Sequence, residues 1–161
     1  DLSGQDLTGT IFTGANLSDT NLTGVDLSGI DLSGKDLTGT ILTGADLSDK
    51  DLTDTILTGT NLTGANLTGK DLSGKDLTGT ILTDADLPHA MLLDANLTDA
   101  SLQNADLRYT LLVDAYLLNA NLTGADLSEA ILSGAILTGA NLEDAILTNA
   151  ILNCIGHSIC I

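Results

Sequence analysis

Hydrophobic positions recur every fifth residue along nearly the whole chain. Leu stands at position 2 and at every fifth position through Leu152, with Phe12 the one substitution. That makes thirty-one consecutive units with no insertion or deletion. An amphipathic helix would return Leu at intervals of three and four, and a half-buried strand at every second residue. A period of five suits neither. Two residues before each Leu stands a small residue, most often Ala or Thr, as at Ala45, Ala65 and Ala85. Asp or Asn commonly precedes the Leu (Asp6, Asn16, Asp26, Asp46), Ser or Thr follows it, and Gly or a small polar residue comes next. The unit reads A-(D/N)-L-(S/T)-G. Two inward residues in five fit a very short extended piece, and Gly, Asp and Asn tolerate the positive φ of a tight turn. A chain that turns once per unit satisfies its backbone only by stacking coils, at the spacing of neighbouring strands, about 4.8 Å. The predicted object is a solenoid with a Leu ladder inside.

Composition sharpens this picture. At 161 residues there is room for one domain with a real core. Aromatic residues make up 2%, with no Trp and one Pro, which argues against a core of large interlocking side chains. The net charge of −17, with five basic residues, argues against direct nucleic-acid binding, which needs clustered Lys and Arg. It argues equally against docking on an anionic membrane. No apolar run reaches the length of a membrane span, so membrane insertion is not expected, and no signal peptide is visible. The two cysteines are too few for a disulfide scaffold.

The thirty-one in-register units closely resemble pentapeptide-repeat proteins, over essentially the whole chain. The resemblance implies an all-β fold, a right-handed quadrilateral β-helix with four pentapeptides per coil. Leu and the small residue two before it would point inward. Residues 1–152 would form about eight coils, a rod about 37 Å long, with 153–161 as a C-terminal tail or cap. The resemblance is to short, loop-free cyanobacterial members, most without an assigned biochemical role. It leaves compartment open among cytoplasm, periplasm and thylakoid lumen. The chain opens at Asp1 without a Met, which leaves room for a leader.

With four faces, residues twenty apart stack in columns. Asp6, Asp26, Asp46, Asn66, Asp86, Asp106 and Asp126 form an acidic column. It suits cations or phosphate mimicry, but the expected role is to accept hydrogen bonds from the turns. A second column, Ile11, Asp31, Asp51, Asp71, Met91, Leu111, Ile131 and Ile151, turns apolar midway. With Leu93, Val113, Tyr116, Leu118 and Ile136 it predicts an exposed apolar patch over two adjoining faces, the candidate contact surface for a protein partner or a homodimer. The competing account is that Ile is tolerated at this position, as at Ile41, Ile56 and Ile81.

Lys35, Lys50, Lys70 and Lys75 occupy the inward small-residue position. Burying an unpaired ammonium costs several kcal/mol. The functional reading is a charged contact or anion site. The reading adopted is that the stems bend through the wall and snorkel to solvent, with local pairing to the following Asp36, Asp51, Asp71 and Asp76. In the tail, Cys154, His157 and Cys160 would need a fourth donor to hold zinc, so a Cys154–Cys160 disulfide or two free thiols is expected instead. His89 beside Pro88 reads as a surface substitution. The sequons at Asn16, Asn21, Asn61, Asn66, Asn96 and Asn121 follow from the repeat itself and carry no information. No catalytic, metal or cofactor site is expected, because a loop-free rod offers no pocket where nucleophile, base and orienter converge. The functional expectation is a non-enzymatic interaction scaffold. The alternative, drawn from the same resemblance, is a DNA-mimicking regulator of DNA gyrase of the quinolone-resistance type. Against it, such relatives commonly carry projecting loops and a C-terminal dimerisation helix, and neither is visible here.

Overall fold

A computed structural model describes residues 1–7 and 9–160. The chain is a β-helix built of single-residue parallel bridges rather than continuous strands. Asn21 pairs with Ile41, Ile41 with Asn61, Asn61 with Ile81, and so on, twenty residues ahead at every bridge but the last. Twenty residues are four five-residue units. From the Asn61–Ile81 pair to the Ile136–Ile155 pair, every unit is bridged to the coil above it.

The five-residue unit works because it places every backbone N–H, which a buried chain must do. Around Leu97, the Ala95 N–H closes a turn onto the Leu92 carbonyl (3.2 Å), and the Asn96 N–H donates to Lys75 in the coil below (2.9 Å). The Leu97 and Asp99 N–H groups donate upward to Tyr116 and Leu118, at 2.7 and 2.8 Å. The fifth, from Thr98, goes to Asn96 Oδ1 at 3.1 Å. The same side-chain acceptor recurs at Asp1, Asn16, Asp31, Asp46 and Asn66. The third turn residue is left-handed: Gly in many units, Asp or Asn in others, and at His89 and Tyr109 a ring (φ 61° and 60°). At Gly134 a Cβ would also run into the Asp114 carboxylate of the coil below.

Leu and the small residue fill the interior. Leu37 through Leu47 and Leu112 through Leu137 are fully buried, as are the Ala residues from Ala65 to Ala135. Inward Thr residues bond carbonyls instead of wasting a hydroxyl: Thr40 donates to Leu17, and Thr60 to Leu37, at 2.8 and 2.9 Å. Among the described residues, no buried side-chain N or O lacks a partner.

The register slips once. Ile136 pairs with Ile155, nineteen residues on, and buried Cys154 takes the inward place that the repeat assigns to position 155. The ladder thus continues past Leu152 into the segment expected as the tail. Cys154 is joined to Cys160 by a disulfide, and Ile159 and Cys160 pack against the core. Ile161, the last residue of the expected cap, lies outside the described residues. Among the described residues, no helix is long and apolar enough to cross a membrane.

Candidate interaction surface

The apolar patch is assembled by two ladders. Asp71, Met91, Leu111, Ile131 and Ile151 are bridged one above the next, and so are Asn96, Tyr116, Ile136 and Ile155. The first ladder is polar at its foot and apolar from Met91 upward. Leu93 and Val113 follow Met91 and Leu111 on the same face, and Leu118 follows Tyr116 on the next. Met91, Leu93, Leu111, Val113, Leu118, Ile131 and Ile136 are half-buried. Tyr116 is 45% exposed and Ile151 50%. The repeat did not identify one further member, Ile155, at 58% exposure, nor that Ile146, 49% exposed and bridged to Asp126, closes the top of the acidic column. Ile146 was legible in the string Ala145-Ile146-Leu147. Ile155 was hidden by the register slip.

These residues displace something useful. Where Asp or Asn precedes the Leu, its carboxyl or amide oxygen takes the N–H of the residue after the Leu. Where Met91, Leu111 and Tyr116 stand instead, the N–H groups of Leu93, Val113 and Leu118 have no side-chain acceptor among the described residues. The apolar columns therefore give up a local bond at each step. Ile81, by contrast, stands alone between Asn61 and Ser101. Exposed Asp94 and Asp114 occupy the corner between the two apolar faces, and Asp99 receives the Asn119 amide (3.0 Å).

The acidic column has the role its turn chemistry suggests. Asp26, Asp46 and Asp126 accept the N–H of Ser28, Ser48 and Ser128, at 2.8, 3.0 and 2.9 Å. Bonds from the Ser28 and Ser48 hydroxyl and N–H groups hold the carboxyls of Asp26 and Asp46 below the usual range. Asn66 donates its amide to Asp46 (3.1 Å), so interleaved Asn relieves repulsion along the column. Asp106 is gripped at both oxygens by Arg108, at 2.8 and 2.6 Å, which lowers its pKa and raises that of Arg108. His89 stacks on Tyr109 in the next coil, ring centres 4.9 Å apart.

The lysines depart from expectation. Lys50 does not reach freely into solvent: its side chain is 9% exposed and its ammonium lies 3.4 Å from Asp49, the preceding residue rather than Asp51. Asp49 lacks the positive φ of its described counterparts. Lys70 and Lys75 are half-buried and bend toward the coil below, donating to the carbonyls of Lys50 (2.7 Å) and Thr55 (3.2 Å). The reason is local. A buried ammonium needs an acceptor, and the backbone carbonyl of the lower coil is nearer than any carboxylate on the outer wall.

Five segments of the chain, residues 1–34, 36–69, 60–99, 95–134 and 131–154, match a family profile described as pentapeptide repeats. Among solved structures, the chain is similar to Rfr23, a pentapeptide repeat protein of the cyanobacterium Cyanothece 51142 (33% identity, 76% of this chain and 91% of that one, TM-score 0.44). It is also similar to HetL, a pentapeptide repeat protein involved in heterocyst differentiation regulation in Nostoc sp. strain PCC 7120 (34% identity, 91% and 78%, TM-score 0.38). The fluoroquinolone resistance protein QnrB1 matches at 22% identity over 91% of this chain and 77% of that one, TM-score 0.50. No curated protein matches the chain.

Proposed function

The chain belongs to the pentapeptide-repeat family, and from that premise we propose that it is a non-enzymatic scaffold that docks another protein on its apolar ladders. In this reading the rod is right-handed and quadrilateral, nearly eight coils long, with residues 1–152 as its body and 153–161 as a cap. The observation that carries the reading is the run of large apolar residues from Met91 to Ile151 where the repeat elsewhere favours a hydrogen-bonding Asp or Asn. Scattered hydrophobes need no explanation, but a contiguous exposed patch marks an interface. In this reading the rod meets no nucleic acid directly, because its net charge is −17, and inserts in no membrane, because no apolar run is long enough to span one. The test is the double variant Leu111→Asp with Ile131→Asp. Self-association or partner capture by the parent protein should be lost, while the CD spectrum stays unchanged. A strictly monomeric parent, together with a double variant that retains every cellular contact, contradicts the reading.

A DNA-mimicking regulator of DNA gyrase is the second reading. It is supported by the unbroken Asp46–Asn66–Asp86–Asp106–Asp126 ladder and by the likeness of fold to QnrB1. Against it, Asp46, Asp106 and Asp126 are already engaged with turn N–H groups. A supercoiling assay separates the two: protection or inhibition of gyrase by the purified protein favours the mimic, and indifference favours the scaffold.

A further inference from the structure

The most irregular feature of the rod lies below the apolar ladders, where three of its five basic residues converge. Lys50, Lys70 and Lys75, with Asp51 to Asp54, Asp71 and Ser73, line a cleft of about 400 Å³ between two successive coils. A second recess of about 340 Å³, lined by Asp54, Thr55, Ile56, Ser73, Gly74, Lys75 and Asp76, continues it around the corner. The bridges are missing here, and the lysines occupy the carbonyls that the ladder would use. In a regular unit the N–H before the Leu donates to the carbonyl twenty-one residues back, as Met91 does to Lys70 at 2.8 Å. By that rule Asp71 would bond Lys50 and Asp76 would bond Thr55. Those two carbonyls are taken by the Lys70 and Lys75 ammonium groups.

Donors and acceptors then no longer balance. The lower lip has lost the acceptors for the N–H groups of Leu52, Asp54 and Leu57, and the upper lip those for Asp71 and Asp76. The carbonyls freed opposite them are three, Asp71, Ser73 and Asp76, and the Thr58 hydroxyl already reaches the last (3.5 Å). Each ammonium has three hydrogens, of which the bond to the carbonyl uses one. The carboxylates of Asp51 and Asp71 are turned onto the N–H groups of Thr53 and Ser73. The freed donors, two of them cationic, arrive from both lips, while Asp54 also lines the cleft and the charges of Lys70 and Lys75 act on Asp51 and Asp71. Polar groups of this kind are normally satisfied, and a multi-acceptor anion satisfies them best.

We propose that this cleft binds a phosphate-type oxyanion, held between the Lys70 and Lys75 ammonium groups and the freed N–H groups of Asp71 and Asp76. The site is independent of the apolar ladders and needs no protein partner. Amide NMR of the ¹⁵N-labelled protein tests it, with inorganic phosphate titrated against NaCl at constant ionic strength. The amides of Asp71 and Asp76 should shift saturably while those of Leu111 and Ile131 stay still. The variant Lys70→Thr with Lys75→Thr puts in the residue that Thr60 and Thr80 already supply at inward positions, and it should abolish the shifts. Unshifted Asp71 and Asp76 amides in the parent protein overturn the proposal, whatever the variant does. Equal shifts in the folded variant overturn it as well.

Discussion

From Asn61 upward to Ile155 each coil is zipped to the next at every unit, whereas between Asp26 and Asp76 four pairings are open: Asp26 with Asp46, Asp31 with Asp51, Asp51 with Asp71, and Ile56 with Asp76. Both regions carry the same Leu ladder, so Leu does not decide the difference. The residue two before it does. From Thr80 to Ala150 that position holds only Ala or Thr, whereas the earlier coils carry Val25, Ile30, Lys35, Lys50, Lys70 and Lys75. Each lysine opens the pairing to the coil below its own unit, yet Lys35, Lys70 and Lys75 leave the pairing above intact, as Asp36–Ile56, Asp71–Met91 and Asp76–Asn96 show. Lys70 and Lys75 act downward because their side chains lean toward the carbonyls of the lower coil. Asp26–Asp46 is open although Ala45 is small, and the gap there is bordered by Val25 and Lys50.

The comparison can be broken in several ways. The largest effect should come from the zipped region: Leu112→Ala leaves a cavity no neighbour can fill and should cost about 2–5 kcal/mol in a denaturant titration. Leu27→Ala, beside an existing gap, should cost less. Next, Ala115→Lys transplants the wedge. It should destabilise by about 1–3 kcal/mol through overpacking and unprotect the Tyr116 amide, which now donates to Ala95. The reverse change, Lys70→Thr, should let Asp71 bond Lys50 again and gain about 1 kcal/mol, one ladder hydrogen bond.

How far the sequence carried these conclusions differs by residue. The period of five, the inward Leu and Ala, and the columns from Met91 to Ile151 could all be read directly, because each follows from one repeated register. Handedness entered only with the family resemblance. The lysines could not be placed, because where an ammonium goes depends on which carbonyl of another coil it meets, and no spacing within the unit encodes that. Ile155 was missed for a different reason: one missing residue before Cys154 moves it from an inward to an outward place. The apolar surface was therefore legible, and the cleft was not.

A smaller effect separates the regions by pH. Among the described residues, the carboxyls held below their ordinary value include Asp106 and, below the apolar part of the ladders, Asp26, Asp31, Asp36, Asp46, Asp51 and Asp71. The cause in those six is bonding to the hydroxyl and N–H of the Ser or Thr two residues on. Each has its value depressed by folding, so its stabilisation is present above the ordinary value of 3.8 and is lost as pH falls through the lower folded values. Acid should loosen the lower coils before the upper ones, read by amide exchange at pH about 3 against pH 7. Simultaneous loss along the whole rod would show that the turn carboxylates contribute equally everywhere.

The central claim is that the size of the inward residue decides whether neighbouring coils pair. Native-state hydrogen exchange, resolved residue by residue, tests it most directly. The amides of Met91, Leu92, Leu111, Leu112 and Ile131 should exchange only with global unfolding, while those of Asp51, Leu52, Asp71 and Asp76 exchange orders of magnitude faster. Equal protection in the two sets would mean that the coils are zipped throughout and that the lysines hold nothing apart.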